Sequence, residues 1–285
     1  MGIQSTGIGS GLDVNSLVTK LMAVESQPLT TLAKKEASFQ AKLSAYGSLN
    51  GALSAFQNSL SSINNASTFQ SLSASSADTS IASATTTSIA TAGTYNINIT
   101  KLAQAQIISG AGQASTTATI GDGSTTTLTF QFGTITGTAI NGIYPSGTSF
   151  SQDAGQSTGT VTINSSNNTL QGIRDAINAS KIGVSASVVG DGNSTNPYHL
   201  VLSSAKTGAT SSLKIIASGT DISATTVASL LNYDPAGTQK LTEVTTAQSA
   251  ALKINGIDIT SNTNSVYGAI QGVTVNASKV GSTTV

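Results

Sequence analysis

One run of apolar residues constrains this chain more than any other feature. From Leu32 the apolar positions are Phe39, Leu43, Tyr46, Leu49, Leu53, Phe56, Leu60 and Ile63. Leu32 to Phe39 is one heptad with Glu36 in the intermediate place. Later steps are three or four residues, with one doubled three-residue step at Tyr46 to Leu49. That is a heptad seam carrying a stammer-like shift. It predicts a helix of ~35 residues, ~50 Å long, with one narrow apolar stripe. Such a stripe calls for another helix to cover it; the alternative is the core of a helical bundle, and the length and narrowness favour assembly. Gly47 and Gly51 weaken the middle, each by roughly 1 kcal/mol relative to Ala, which makes isolated stability harder still.

The residues before the seam carry helix signals too. Met1 to Leu12 is Gly/Ser-rich, a mobile entry. Asp13 suits an N-cap because its carboxylate accepts orphan backbone N–H groups. Val14, Leu17, Val18 and Leu21 follow at helical spacing. Pro28 fits the first turn of a second helix. Lys34, Lys35 and Lys42 give this leg a mildly positive face, read as a solvated flank.

After Ile63 the period changes. Tyr95, Ile97 and Ile99 alternate with asparagines, as in a half-buried strand. Leu128, Phe130 and Phe132 repeat the pattern, as do Val161 with Ile163, Val184 with Ala186 and Val188, His199 to Leu202, Leu213 to Ile216, and Val273 with Val275. Weak strand signals lie near Leu72 and Ile81. Asn168 or Thr169 starts a short helix with Leu170, Ile173 and Ile177 on one face. Asp221 to Leu231 reads as another, through Val227, Leu230 and Leu231. Asn255-Gly256 between alternating runs predicts a hairpin.

Composition narrows the chemistry. Only 8% of the 285 residues are charged, the net charge is zero and 38% are hydrophobic. That is not the high-charge, low-hydropathy signature of disorder, and no basic footprint for nucleic acid exists. There is no cysteine, so disulfides, thiol catalysis and Cys-based metal sites are excluded. No run is long and apolar enough to span a bilayer, and no Sec-type signal opens the chain. His199 is the one histidine, and any triad or His–metal chemistry must pass through it; its strand context makes it an ordinary sheet residue. Asp122-Gly123 and Asp191-Gly192 lack the spaced carboxylates of a calcium loop and read as turns. Gly7-x-Gly9-x-Gly11 lacks the strand and spacing of a nucleotide loop. The expectation is a protein that is not an enzyme, with no cofactor and no metal.

Several blocks carry a family likeness. GIGSGLDVNSLVTKLMAVESQPL (Gly7 to Leu29) and AGTYNINITKLAQAQ (Ala92 to Gln106) come first. NNTLQGIRDAIN, GVSASVVGDG and YHLVLSSAKTG follow, and ALKINGIDITSNTNSVYGAIQGVTVN (Ala251 to Asn276) closes the series. Together, and in this order, they resemble the flagellar filament-capping proteins, the FliD or flagellar hook-associated protein 2 family. The likeness runs almost end to end and is weakest from Ser109 to Gly159.

The resemblance implies export through the flagellar type III apparatus and a place outside the cell, at the flagellum tip beyond the hook–filament junction proteins. There such proteins form a homo-oligomeric ring, usually pentameric, under which arriving flagellin folds and inserts. It implies that Leu12, Val14, Leu17, Val18, Leu21, Met22, Leu29 and Leu32 belong to a leg that contacts flagellin and other subunits. It implies no membrane insertion. The family's chains return through long carboxy-terminal helices, whereas this sequence stops at Val285. It looks like a shortened piece or a degenerate copy, expected not to form a working cap alone.

The expected fold is α+β: long amino-terminal coiled-coil helices followed by two β-rich domains, one inserted in the other. The leg covers 1–70, a proximal β-domain 71–108 and 246–285, and a distal α+β domain 109–245. The chain before about residue 40 is expected to be poorly placed, and Leu43 to Ile63 to leave an apolar seam exposed. The main alternative is a surface adhesin whose Thr/Asn-rich head binds glycans or host mucin, in keeping with a role in cell adhesion. A flagellin-like or hook-junction protein and a small hydrolase on a β-scaffold are more distant ones.

Overall fold

Asp13 starts the described chain and opens its first helix. Its carboxylate accepts the Ser16 N–H at 3.1 Å, which satisfies one of the orphan donors of a helix start. The computed structural model describes residues 13–64, 72–221 and 226–285. The chain divides into two units, Met1–Gln70 and Ser71–Val285.

The first unit holds α1 (Val14–Glu25) and α2 (Gln27–Ile63). Ser26 alone joins them, ending one helix and capping the next. Its N–H bonds the Met22 carbonyl at 2.9 Å, and its own carbonyl receives the Thr30 N–H at 3.0 Å. Pro28 sits in the first turn of α2, where its missing N–H costs nothing and its fixed φ suits the helix. The 37 residues of α2 make a rod ~55 Å long.

The second unit is built from antiparallel strands. In chain order they are β1 (Ala82–Thr86), β2 (Asn96–Lys101), β3 (Ile107–Gly110), β4 (Thr126–Thr136), β5 (Ser149–Gln152) and β6 (Gly159–Ile163). Helix α3 (Leu170–Ser180) follows, then β7 (Val184–Gly190), β8 (Tyr198–Ser204), β9 (Ser212–Gly219) and α4 (Val227–Leu231). The unit closes with β10 (Leu241–Thr245), β11 (Ala250–Ile254), β12 (Ile257–Ser261), β13 (Ser265–Ile270), β14 (Val273–Ala277) and β15 (Gly281–Thr284).

Among the described residues the strands form four sheets, with orders β1-β14-β13, β12-β11-β2-β15, β10-β3-β8-β7 and β5-β4-β6, and β9 also pairs with β4. The first two enclose one buried cluster, which includes Ile97, Ile99, Leu252, Ile254, Val266, Val273 and Val275. The other two, with α3 and α4, enclose a larger one that runs from Ile108 to Leu241 in sequence. Between the clusters the chain crosses twice. Gln104 and Gln248 pair there as an antiparallel bridge, and the Gln248 side chain donates to the Leu102 carbonyl at 2.7 Å.

Local chemistry explains individual elements. Thr169 caps α3 through the Gly172 N–H at 3.0 Å, and Leu170, Ile173 and Ile177 are its buried face. The β11–β12 hairpin turns at Asn255 and Gly256, with φ of 48° and 87°, the left-handed pair that a two-residue hairpin of this twist requires. β7 lies at a sheet edge, and Asn178 from α3 occupies it. Its amide receives the Ala186 N–H and donates to the Ala186 carbonyl, both at 2.8 Å. One side chain thus stands in for the next strand's backbone and blunts the edge.

The architecture is α+β, with long amino-terminal helices ahead of β-rich structure. Two expectations need correction. Residues 14–25 and 27–40 are helical rather than poorly placed: the Asp13 side chain caps α1, and the Ser26 N–H and carbonyl carry the backbone bonding on into α2. The helix expected over Asp221 to Leu231 is confined to Val227–Leu231, since Thr226 and Ser229 form a reciprocal capping box at that point; residues 222–225 lie outside the described residues, as do Leu12 and the rest of the Gly/Ser-rich opening. Strands β3, β5, β10, β13 and β15 had no counterpart in the sequence reading.

Candidate functional site

The candidate site is the apolar surface of the two amino-terminal helices. Helix periodicity places its residues, and no residue of α1 is buried. Val14, Leu17, Val18, Leu21, Met22, Leu29 and Leu32 are 48–68% exposed. Along α2, Phe39, Leu43, Tyr46, Leu49, Leu53, Phe56, Leu60 and Ile63 are 48–74% exposed. Leu12 lies outside the described residues. Burying a large aliphatic or aromatic side chain fully stabilises by about 1.5–3 kcal/mol, so covering the eight α2 positions represents on the order of 10 kcal/mol of gross driving force.

The polar surroundings of this seam change along its length. Near its start, Lys42 Nζ lies 5.7 Å from the centroid of the Phe39 ring, within the range of a cation–π attraction. Gln40 Nε2 donates to Glu36 Oε1 at 3.4 Å. From Leu43 to Ile63 the sequence contains no charged residue; Ser, Ala, Gly, Asn and Gln flank the seam. Flanking ion pairs, which usually set partner and register in coiled coils, are therefore unavailable over that stretch. That stretch offers apolar side chains flanked by neutral, small or polar ones. Gly47 and Gly51 widen the options, since a Cβ at either would meet nothing within 4 Å.

The other candidate residues lie in the β-rich unit. His199 is on β8, with Nδ1 2.9 Å from the Gly110 carbonyl oxygen and Nε2 3.1 Å from Asp191 Oδ2. Asp122 and Asp191 each accept the N–H two residues on, from Ser124 and Asn193, at 2.8 Å. Both are Asx turns. Among the described residues no three His, Cys, Asp or Glu side chains gather as metal ligands. No described helix is long and apolar enough to cross a membrane. The Gly7-x-Gly9-x-Gly11 run lies outside the described residues.

One constellation was missed by sequence reasoning. Glu243 on β10 is buried. Its carboxylate accepts the Tyr144 hydroxyl at 2.9 Å to both oxygens, Gln106 Nε2 at 2.6 Å and the Thr246 hydroxyl at 2.9 Å. Gln106, fully buried, also accepts the Leu213 N–H at 2.6 Å. The network thus ties the segment entering the larger core to the one leaving it. Burial pushes the Tyr144 hydroxyl pKa far up, with Glu243 adding to the shift. Tyr233 is raised for the same first reason; its buried hydroxyl finds no partner of good geometry, although Gln106 is near enough to influence it. A lone glutamate in a strand of alternating residues gives no sequence signal of such burial.

Comparison with known proteins adds the following. The family profile described as "Flagellar hook-associated protein 2 N-terminus" matches residues 10–106. The chain is 35% identical over 265 residues to "Flagellar hook-associated protein 2" of Escherichia coli strain K12, covering 93% of this chain and 51% of that protein. It is 32% identical to the "B-type flagellar hook-associated protein 2" of Pseudomonas aeruginosa PAO1, covering 97% and 54%. The crystal structure of the D1-D2-D3 domains of the E. coli flagellar cap protein FliD is similar with a TM-score of 0.69 at 33% identity, over 85% of this chain and 61% of that one. The D2-D3 structure from the same organism gives 0.61 at 31% identity, over 74% of this chain and 95% of that one. The chain spans about half the length of the curated relatives it matches.

Proposed function

Because the chain belongs to the flagellar hook-associated protein 2 family, also called FliD, we propose that it acts in the cap at the tip of the bacterial flagellar filament. In this reading its partners are further copies of itself and flagellin, and it works by contact rather than by catalysis. It is exported by the flagellar type III apparatus, passes the hook–filament junction proteins and stays outside the cell. The capping plate holds arriving flagellin while it folds and inserts.

The observation that carries the reading is the uncovered seam of α2, from Phe39 to Ile63. An apolar stripe that long stays in water only at a cost unless an assembly covers it. The leg formed by α1 and the start of α2 is the flagellin- and subunit-contacting part. The two buried clusters support a discontinuous head, with a proximal domain of 71–108 and 246–285 and a distal domain of 109–245 inserted in it. The split of core residues between 82–99 with 252–277 and 108–241 is what favours those limits.

The test is tip labelling. An antibody to the β-rich unit should decorate filament tips in cells producing the protein, and Leu49→Lys with Phe56→Lys should abolish decoration while the β-rich unit still folds. Decoration along the whole filament, or none with the unaltered protein, would contradict the reading.

A further inference from the structure

The geometry around His199 favours the protonated ring. Nδ1 faces a backbone carbonyl and Nε2 faces a carboxylate, and both of these groups only accept. A neutral imidazole carries one N–H and can serve one of them; the imidazolium serves both. Asp191 is arranged for this, since Oδ1 takes the Asn193 N–H and Oδ2 is left for the ring.

Three pieces of backbone meet at this point: the end of β3, the following residues 111–113, and the β7–β8 connection 191–197. Gln113 and Tyr198 exchange both backbone hydrogen bonds, at 2.8 and 3.1 Å, and the Asp191 N–H bonds the Pro197 carbonyl at 2.9 Å. The approach is close: a Cβ on Gly112 would fall 2.1 Å from the Asn196 carbonyl oxygen. The ring therefore spans the hairpin tip and the segment it leans on.

We propose that His199 is a pH-operated clasp: protonated, it ties the tip of the β7–β8 hairpin to the end of β3, and on losing a proton it releases one of its two acceptors and loosens the tip. Asp191 is the charged group that bears on the ring. β3 contributes the Gly110 carbonyl, β7 contributes Val189 and Gly190 beside it, and Gln113 and Asn196 carry nothing that titrates. Tyr198 points to the opposite face of β8 by strand alternation.

The direction follows from the partners. The Gly110 carbonyl, and after it Asp191, hold the His199 pKa above its ordinary 6.5. The Asn193 N–H, and after it His199, hold Asp191 below the usual 3.8. A raised histidine pKa means the clasp contributes fully below 6.5 and is lost as pH rises through the raised value. On the acid side it is lost as pH falls through the lowered Asp191 value.

One histidine in the whole chain makes the test direct. In the 285-residue protein with 15N-labelled histidine, both ring nitrogens should appear protonated in mild acid, with a titration midpoint above 6.5. Hydrogen exchange at the Gln113 and Asp191 amides, corrected for its intrinsic pH dependence, should rise several-fold across that midpoint. Asp191→Asn keeps an acceptor for Asn193 and should move the midpoint down toward 6.5. A midpoint at or below 6.5, corrected exchange that stays flat across it, or an Asp191→Asn midpoint equal to that of the parent would overturn the clasp.

Discussion

Tyr144 donates its hydroxyl to both oxygens of Glu243 at 2.9 Å across 99 positions of sequence. The bond pins the 140–144 loop to the strand that leaves the larger core. The two Ile140–Ile143 backbone bonds and the Gly142 carbonyl, which accepts the Glu243 N–H at 2.8 Å, hold the loop in position for it.

Tyr144→Phe should therefore lower stability by about 1–3 kcal/mol, the cost of taking a hydrogen-bond donor away from a buried acceptor. Tyr233→Phe should be neutral or stabilising by about 1 kcal/mol, because it removes a buried hydroxyl that has no good partner. Urea unfolding followed by near-ultraviolet circular dichroism on both variants checks the contrast. Equal losses from the two would show that the hydroxyls do the same work.

The edge of β7 offers a second test. Asn178→Asp keeps an acceptor for the Ala186 N–H but sets a carboxylate against the Ala186 carbonyl. The expected cost is about 1 kcal/mol, with faster exchange of β7 amides and more self-association at high concentration as the edge opens. Light scattering alongside thermal unfolding would measure both.

Gly47 and Gly51 separate the helix from its contacts. In the free chain neither site is crowded, so Gly→Ala at each should raise the stability of α2 by about 1 kcal/mol, seen as more signal at 222 nm. If a partner backbone packs there in the assembled cap, the same changes should weaken assembly while stabilising the free leg. Improvement in both would place the contact elsewhere on the helix.

How much of this was legible in the sequence depended on whether side chains or backbone did the work. Ile97 with Ile99, Leu128 with Phe130, and the α2 seam announce themselves because apolar side chains repeat at the period of the element. Asn255-Gly256 and Thr169 are legible because few residues suit a left-handed turn or an N-cap. β15, Gly281–Thr284, has no apolar residue at all; it exists because its backbone pairs with β2 and Thr283 is buried there. Glu243 misleads for the opposite reason, since a carboxylate normally marks a solvent face and this one is buried by donors distant in sequence. The residues of α1 and α2 were readable as an apolar stripe, but a single chain's periodicity does not name what covers it.

The proposed cover of the α2 seam at the filament tip is open to a direct chemical test. The chain has no cysteine, so Leu53→Cys gives one reporter on the seam, and Tyr267→Cys, at a position 83% exposed on β13, gives a control. Maleimide labelling would be compared between the free protein and filament tips of cells producing each variant. Labelling at position 53 should slow by at least about tenfold on assembly, while labelling at position 267 should slow by less. Equal reactivity at position 53 in the two states would contradict the proposed cover.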